Sequence, residues 1–302
     1  MLEKVRNTLS QFNMIQQGEV VVVGVSGGAD SVALLLNLSD YRKSVDFEIK
    51  VVHVNHLIRE DASEDAEFVR GLCEQLDIEF FLYEIDVEEL AGSLHLSTEE
   101  AGRKARYDAM RELKPDKIAV GHHRDDQAET VLLNMCRGTG LHGMKGILPV
   151  QDNIIRPLLY VTREEIEKYL LELCQPYRTD STNMTTDYMR NRFRHNVIPY
   201  LTEEINEKAV LHITDMASDM SELECYINGV VNFEYDKLCQ PYKDGTVISL
   251  EGFLSLDSYI QKELLLLVIE HLTPKRKDIT RAHIKSIIDL CNLSGEKSVD
   301  LP

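Results

Sequence analysis

An apolar run that ends in a glycine-rich turn constrains the fold of this chain most strongly. Val20–Val25 contains no polar side chain, as expected of a strand covered on both faces of a sheet. Ser26–Ser31 follows with the sequence SGGADS and leads into VALLLNL. Glycines permit close backbone approach, and the amides that open a helix attract anions. The segment therefore predicts a strand, a phosphate-binding turn and a helix.

The first 160 residues repeat this alternation of strand and helix, which is typical of an α/β fold with a doubly wound, mostly parallel sheet. Further strands are predicted at Ile49–Val54, Phe80–Ile85 and Lys117–Val120. Helices are predicted at Asp30–Leu38, Asp61–Leu76, Thr98–Leu113 and Asp125–Cys136. We expect residues 1–204 to form the catalytic domain and residues 205–302 to form a smaller, mainly α-helical domain.

Composition narrows the class of protein. Lys and Arg number 33 and Asp and Glu number 51, giving a net charge of −18, which argues against a general nucleic-acid coat. No apolar run approaches the roughly 20 residues needed to cross a bilayer, so no membrane span is expected. Six scattered cysteines without a C-x-x-C pair indicate free thiols in a reducing cytoplasm.

The glycine-rich turn lacks the Gly-Lys-Ser/Thr of a Walker A loop. Asp30 is a candidate Mg²⁺ ligand because Mg²⁺ prefers carboxylate oxygens. A plainer interpretation is that Ser26 or Asp30 only caps the helix. The string resembles the PP-loop, or N-type ATP pyrophosphatase, superfamily, whose members cleave ATP between its α and β phosphates. The resemblance implies ATP binding at Ser26, Gly27, Gly28, Ala29, Asp30 and Ser31.

Two further segments carry candidate ATP contacts. His53 and Asn55 end the second predicted strand and face the expected crevice, although such residues also serve as packing groups. Arg103 and Arg106 lie one turn apart on a predicted helix. They suit a guanidinium clamp for the α-phosphate or the departing pyrophosphate. A solvated helix face is the competing interpretation.

A polar segment, GHHRDDQAET, follows the fourth predicted strand. His122, Asp126 and Glu129 recur at helical intervals, so we expect one helix face to present an imidazole and two carboxylates to the crevice. The opposite face, with Val131 and Leu132, supplies an apolar stripe.

The densest basic cluster in this acidic chain lies further on. It consists of Arg190, Arg192, Arg194 and His195. Because the cluster lies in a motif that resembles a tRNA-modifying family, the resemblance implies contact with tRNA phosphates or the target loop. The alternative is a helix surface paired with Glu203 and Glu204.

Several of these segments together resemble the tRNA(Ile)-lysidine synthetase family. They are GHHRDDQAET with the following LLNMCRGTGLHGMKGI, then IIRPLL, YRTDSTN and RNRFRHNVIPYL, in order within residues 18–201. The resemblance implies that ATP adenylates the C2 carbonyl oxygen of the wobble cytidine in a tRNA(Ile) with a CAU anticodon. Free L-lysine then attacks C2 and expels AMP, which leaves lysidine.

The resemblance also implies residue roles. ATP and Mg²⁺ would use the phosphate turn, Asp30 and Asp126 as metal ligands, and His122, Arg103 and Arg106 as further contacts. Asp126 and Glu129 would hold the lysine ammonium group and assist proton removal. Longer family members continue into another small C-terminal domain, which we expect to be absent from this chain. The sequence leaves open whether the chain forms a homodimer.

Two alternatives remain. A PP-loop tRNA thiolation enzyme would need a reactive cysteine and a sulfur donor. A non-catalytic ATP-binding module would bind ATP without releasing pyrophosphate when tRNA is added.

Overall fold

A computed structural model describes residues 1–57, 62–178, 189–273, 279–293, 295 and 297–301. Six strands of the described chain form one sheet. They are β1 (Val20–Gly24), β2 (Glu48–Asn55), β3 (Glu79–Glu84), β4 (Lys117–Ala119), β5 (Val150–Gln151) and β6 (Ile154–Ile155). The spatial order is β3-β2-β1-β4-β6-β5. All neighbours are parallel except β5, which is antiparallel to β6. The four predicted strands are confirmed.

Successive residues of β1 enter different cores, because side chains alternate between the two faces of a strand. Val21 and Val23 belong to one apolar cluster, together with Leu34 and Leu35 of the following helix. Val22 packs into a second cluster on the other face. All three valines are fully buried. The central strand is therefore covered on both sides, which explains its uninterrupted apolar sequence.

Helices connect and cover these strands. The helices up to residue 172 are α1 (Leu2–Gln11), α2 (Ala29–Tyr41), α3 (Ala62–Leu76), α4 (Val87–Leu94), α5 (Thr98–Glu112), α6 (Arg124–Cys136), α7 (Leu141–Met144) and α8 (Arg163–Glu172). Local sequence sets several starts. Ser97 forms a capping box with Glu100 at α5, and Thr162 forms one with Glu165 at α8.

The winding direction of the sheet changes at β1, which pairs with β2 on one side and β4 on the other. In open α/β sheets such a switch point leaves a crevice beyond the carboxyl ends of the strands. The turns after β1, β2 and β4 meet there. This arrangement brings together segments that are distant in sequence.

The described chain continues at residue 189 with a helical segment. It comprises α9 (Met189–Arg192), a π-helical turn (Phe193–Val197), α10 (Ile198–Tyr200) and a second π-helical turn (Leu201–Ile205). π-Helical turns occur often at functional sites. The YRTDSTN segment lies outside the described residues from position 179 onward.

The chain divides into two compact units, Met1–Ala217 and Ser218–Pro302. The division falls inside α11 (Ala209–Leu238), further along the chain than the boundary expected after residue 204. The second unit also contains β7 (Cys239–Tyr242), β8 (Gly245–Ile248), α12 (Leu250–Leu254), α13 (Ser258–Leu272) and α14 (Arg281–Cys291). Its core includes Phe253 and Leu264. This unit is mainly helical, as the sequence predicts.

A search of the described helices for a segment long and apolar enough to cross a membrane found none.

Candidate active site

The turn after β1 presents backbone amides to the crevice. Gly27 has φ +91°, a conformation that residues with a Cβ rarely adopt. Gly28 precedes α2, and no side chain caps that end of the helix. The Ser31 hydroxyl donates to the Gly28 carbonyl oxygen at 2.9 Å and accepts from the Ser26 amide at 3.2 Å. The serines therefore fix the turn and leave the first amides of α2 available to an anion.

A cavity of about 900 Å³ opens at this turn, within the first unit. Most predicted site residues line it: Ser26, Gly28, Ala29, Asp30, Ser31, His53, Asn55, Arg103, Arg106, His122, Glu129, Arg194 and His195. Gly27, Asp126, Arg190 and Arg192 are not among its lining residues. The structure thus brings together residues from five parts of the sequence.

Asp30 holds a partner that the sequence analysis missed. Arg163 opens α8, and its Nη1 donates to both carboxylate oxygens of Asp30, at 2.8 and 2.9 Å. Burial raises the pKa of Asp30, while His123 and Arg163 oppose that rise. Arg163 also donates from its backbone amide to Asp125 Oδ2 at 3.0 Å. The start of α8 is therefore tied to the starts of both α2 and α6.

Three carboxylates surround His123. Its Nε2 lies 3.8 Å from Asp30 Oδ1 and 3.5 Å from Asp126 Oδ2, and its Nδ1 lies 3.3 Å from Asp125 Oδ2. Burial alone would lower the pKa of His123, but Asp126, Asp125 and Asp30 together raise it above its ordinary value. The imidazole thus lies between the two predicted metal ligands, in surroundings that favour its protonated form.

The predicted magnesium ligands fit a shared cation by their chemistry. Asp30 and Asp126 both flank the His123 ring, and Mg²⁺ commonly uses one or two carboxylates together with substrate phosphates. No set of three or more metal-binding side chains was found among the described residues. The two carboxylates therefore suit Mg²⁺ that is bound together with substrate phosphates.

Asp126 and Glu129 are held by two arginines of the basic cluster. Arg190 Nε donates to Glu129 Oε2 at 2.8 Å, and Arg194 Nε donates to Glu129 Oε1 at 2.6 Å. Both guanidinium groups also reach Asp126 Oδ1, at 3.2 and 3.0 Å. Glu129 is almost fully buried. These two arginines pair with the carboxylates of α6, whereas the alternative interpretation had paired them with Glu203 and Glu204.

His122 does not share a helix face with Asp126 and Glu129, so that expectation is wrong. His123 has an extended backbone, and α6 begins only at Arg124. His122 therefore lies in the connection from β4. It still lines the cavity, because the connection ends at the same edge of the sheet.

Two residues at the carboxyl end of β2 combine packing with a position on the cavity wall. His53 is buried, and its Nδ1 lies 2.8 Å from the Val25 carbonyl oxygen. Burial lowers the pKa of His53. The Asn55 side chain accepts from the Leu57 amide at 2.9 Å. Each of them stabilises a turn at the mouth of the crevice as well as lining it.

Arg103 and Arg106 of α5 both line the cavity. Burial, together with the neighbouring charge of Arg103, lowers the pKa of Arg106. Arg106 Nε donates to the Gly102 carbonyl oxygen at 3.3 Å, and the Arg103 guanidinium lies 5.2 Å from the centroid of the Tyr107 ring. Both arginines therefore line the cavity while their side chains remain exposed, and the clamp stays a prediction.

Two other arginines were missed by sequence reasoning. Arg178 donates its backbone amide to the Gly27 carbonyl oxygen at 2.9 Å, and its Nε donates to Asp65 Oδ1 at 2.8 Å. Arg156 is buried beside His122. The sequence could have pointed to Arg156, because it lies inside the apolar string IIRPLL. An arginine buried there needs partners, since an unpaired charge is costly to bury. Arg178 gave no local signal.

Comparison with known proteins finds similarity over the whole chain. Residues 1–201 match the family model described as a PP-loop domain. The chain is 38% identical over 307 aligned residues to the tRNA(Ile)-lysidine synthase of Caldanaerobacter subterraneus subsp. tengcongensis. It is 36% identical over 308 aligned residues to the protein of that name from Clostridium acetobutylicum. Both alignments cover 100% of this chain and 66% or 67% of the relative, so the chain spans about two thirds of their length.

A solved structure shows the same fold at lower sequence similarity. It is the U34-tRNA thiolase NcsA from Methanococcus maripaludis with its [4Fe-4S] cluster. The TM-score is 0.60 and the identity 21%, over 73% of this chain and 78% of that one. At this identity the likeness supports the fold alone.

Proposed function

We propose a function from the family to which the chain belongs: it is a member of the PP-loop family, within the group of tRNA(Ile)-lysidine synthases. The chain joins L-lysine to C2 of the wobble cytidine of a tRNA(Ile) with a CAU anticodon. ATP is consumed and AMP and pyrophosphate are released. The observation that carries the proposal is the whole-chain similarity to these synthases. The phosphate turn opening into a cavity lined by both arginines and carboxylates agrees with it.

The first step is adenylation of the base. The C2 carbonyl oxygen bonds to the α-phosphorus of ATP, and the bond from that phosphorus to the leaving pyrophosphate breaks. Amides of the turn, Arg103 and Arg106 would stabilise the phosphate charge. Bound Mg²⁺, held by Asp30 and Asp126, would neutralise further negative charge on the phosphates. The guanidinium of Arg163 would then release the Asp30 carboxylate and donate to a phosphate oxygen instead.

The second step transfers lysine. Its neutral ε-amino nitrogen bonds to C2, the bond from C2 to the AMP oxygen breaks with the electron pair on AMP, and the nitrogen loses a proton. Asp126 and Glu129 would hold the incoming ammonium and take up protons. In the structure both carboxylates already bind guanidinium groups. The lysine ammonium would therefore take over some of the carboxylate contacts that the guanidinium groups make in the structure.

The basic cluster has two roles in this proposal. Arg190 and Arg194 hold the carboxylates of α6, and their partly exposed edges would also meet the tRNA. Arg192 and His195 would contact tRNA phosphates or the anticodon loop. The proposed compartment is the cytoplasm, where ATP, lysine and tRNA occur together. A homodimer stays a prediction.

The thiolation alternative is less favoured by the cavity. None of the six cysteines is among the residues that line it. Cys73 is buried, and burial raises the pKa of its thiol to about 12, which makes it a poor nucleophile. A non-catalytic ATP-binding module would not need two buried carboxylates opposite the phosphate turn.

The decisive assay measures transfer of radiolabelled L-lysine into bulk bacterial tRNA with ATP and Mg²⁺, followed by mild alkaline treatment. Label that survives is bonded to the base, because an aminoacyl ester is hydrolysed. Asp30→Ala is expected to fold and to lose pyrophosphate release. Glu48→Ala, on the exposed start of β2, is the control and is expected to retain it. Alkali-labile label alone, or sulfur incorporation, would contradict the proposal.

A further inference from the structure

Arg156 is a buried residue directly behind His122, which lines the cavity. It is 2% exposed. Its Nη1 donates to the Leu148 carbonyl oxygen at 2.7 Å, and its Nη2 lies 3.5 Å from Gln151 Oε1. Its Nε donates to His122 Nδ1 at 3.4 Å. The guanidinium plane is therefore anchored on two sides, with one N–H aimed at the imidazole.

This contact decides which ring nitrogen of His122 carries the proton. A guanidinium has five N–H donors, has no acceptor, and stays protonated in proteins. Nδ1 can face it only with a lone pair, because an Nδ1–H would place two donors against each other. In a neutral imidazole the second nitrogen then carries the hydrogen. His122 is consequently the Nε2–H form.

The surroundings also keep the ring neutral. Burial lowers the pKa of His122 to about 3; Asp126 opposes this effect, while Arg156, Arg190 and Arg103 reinforce it. Asp126 and Arg190 face the ring from α6 and α9, and Arg103 faces it from α5. A second positive charge beside Arg156 would be unfavourable at this buried position.

We propose that Arg156 is a positioning residue that fixes His122 as a neutral Nε2–H tautomer, so that His122 offers the cavity a hydrogen-bond donor and no base. Arg156 acts through this contact. The proposal concerns the protonation state of one side chain and holds whatever the substrate is.

The consequence for the reaction rests on the proposed function. Nε2–H would donate to an oxygen that gains negative charge, either a nonbridging oxygen of the α-phosphate or the C2 oxygen of the cytosine. The ring cannot accept the proton that leaves the lysine nitrogen, since Nδ1 is occupied and Nε2 is protonated. That proton therefore passes to a carboxylate of α6 or to water.

The same cavity wall supplies an internal comparison. His53 Nδ1 lies 2.8 Å from the Val25 carbonyl oxygen, and a carbonyl oxygen only accepts. A neutral His53 is therefore the Nδ1–H form, opposite to His122. Two histidines of one site should give opposite tautomers, which makes the assignment testable without any substrate.

The first test is long-range ¹H–¹⁵N correlation NMR on the wild-type chain labelled with ¹⁵N in its histidine rings. His122→Gln and His53→Gln identify the two signals. We expect a protonated Nε2 and an unprotonated Nδ1 for His122, and the reverse for His53. An Nδ1–H or doubly protonated His122 at neutral pH would overturn the proposal.

The second test removes the donor. In Arg156→Met we expect His122 to show a mixture of tautomers and a raised pKa. Arg42→Met, which removes an arginine that donates to the Leu76 carbonyl oxygen outside the cavity, should leave the His122 pattern unchanged. An unchanged pattern in folded Arg156→Met would show that Arg156 does not position the ring. Should that variant fail to fold, the wild-type spectrum still decides the tautomer.

The third test uses kinetics to distinguish a hydrogen-bond donor role of His122 from a general-base role. A glutamine N–H can replace Nε2–H in position, whereas the shorter asparagine cannot. His122→Gln should keep pyrophosphate release within about tenfold of wild type, and His122→Asn should lose about 100-fold, the usual effect of deleting one donor to a developing oxyanion. Equal loss in both variants would refute the donor role. A wild-type chain inactive on tRNA would refute the proposed function instead, with the NMR result unaffected.

Discussion

Replacement of Glu129 by glutamine tests how the helical segment after residue 189 is held on the catalytic unit. Glu129 is 1% exposed and accepts three hydrogen bonds, at 2.8, 2.6 and 3.1 Å, from Arg190 and Arg194. Glutamine keeps the shape of the side chain but removes its charge. It also turns an N–H group toward the two guanidinium donors.

The structure gives the expected magnitude. Removing one partner of a buried ion pair costs about 3–5 kcal/mol. The two arginine side chains are 28% and 35% exposed, and Asp126 remains as a shared partner. Water and Asp126 therefore offset part of the cost. We expect the free energy of unfolding of the first unit to fall by about 2–3 kcal/mol.

Glu167→Gln is the matched control. Glu167 accepts from Arg163 Nε at 2.7 Å, but its side chain is 48% exposed. The expected loss is less than about 1 kcal/mol, because exposed ion pairs contribute little. The two variants thus make the same chemical change at a buried position and at an exposed position.

Urea unfolding followed by far-ultraviolet circular dichroism measures both variants, since the chain contains no tryptophan for fluorescence. Hydrogen exchange of peptides from Met189–Val197 locates the effect, and exchange there should rise in Glu129→Gln alone. A loss of stability no larger than that of Glu167→Gln would refute the argument that these buried ion pairs hold the segment.

Three further predictions use other features of the site. Gly27→Ala and Gly18→Ala both place a side chain at positive φ, +91° and +82°, and each variant should lose about 1 kcal/mol of stability. Equilibrium dialysis should show weaker ATP binding for Gly27→Ala only. Equal ATP binding by the two variants would contradict the phosphate-turn assignment. Alanine at each of the six cysteines should leave lysine incorporation intact, and its loss in one variant would favour the thiolation alternative. The pKa of His123 is raised in the folded protein. Protonation of His123 therefore stabilises the fold fully below the unfolded-state pKa of about 6.5, and this stabilisation is lost as pH rises through the folded-state pKa. Urea unfolding between about pH 6 and 8 should show wild type losing stability relative to His123→Gln over that range, and parallel pH profiles would rule out this contribution.

Much of the fold was determined by local sequence patterns. Val20–Val25 and the three later strands were predicted within one or two residues of their observed bounds, because each is rich in aliphatic or aromatic residues. For β1 the apolar run is uninterrupted, since this strand is covered on both faces. The phosphate turn was equally local, since two adjacent glycines and the start of a helix suffice to define it. The capping box at Thr162 is likewise local, because it joins residues only three positions apart at the start of α8.

The partners in the site were decided by tertiary structure alone. Asp30 and Arg163 are 133 residues apart in sequence, and Glu129 and Arg194 are 65 apart. No local pattern relates such residues, because the sheet order determines which loops meet at its edge. Even His122 was placed wrongly by helical spacing, since the extended backbone of His123 delays the start of α6. The sequence therefore determined the elements and the chemistry of the turn, whereas the pairing of charges depended on the packing of strands and helices around the switch point.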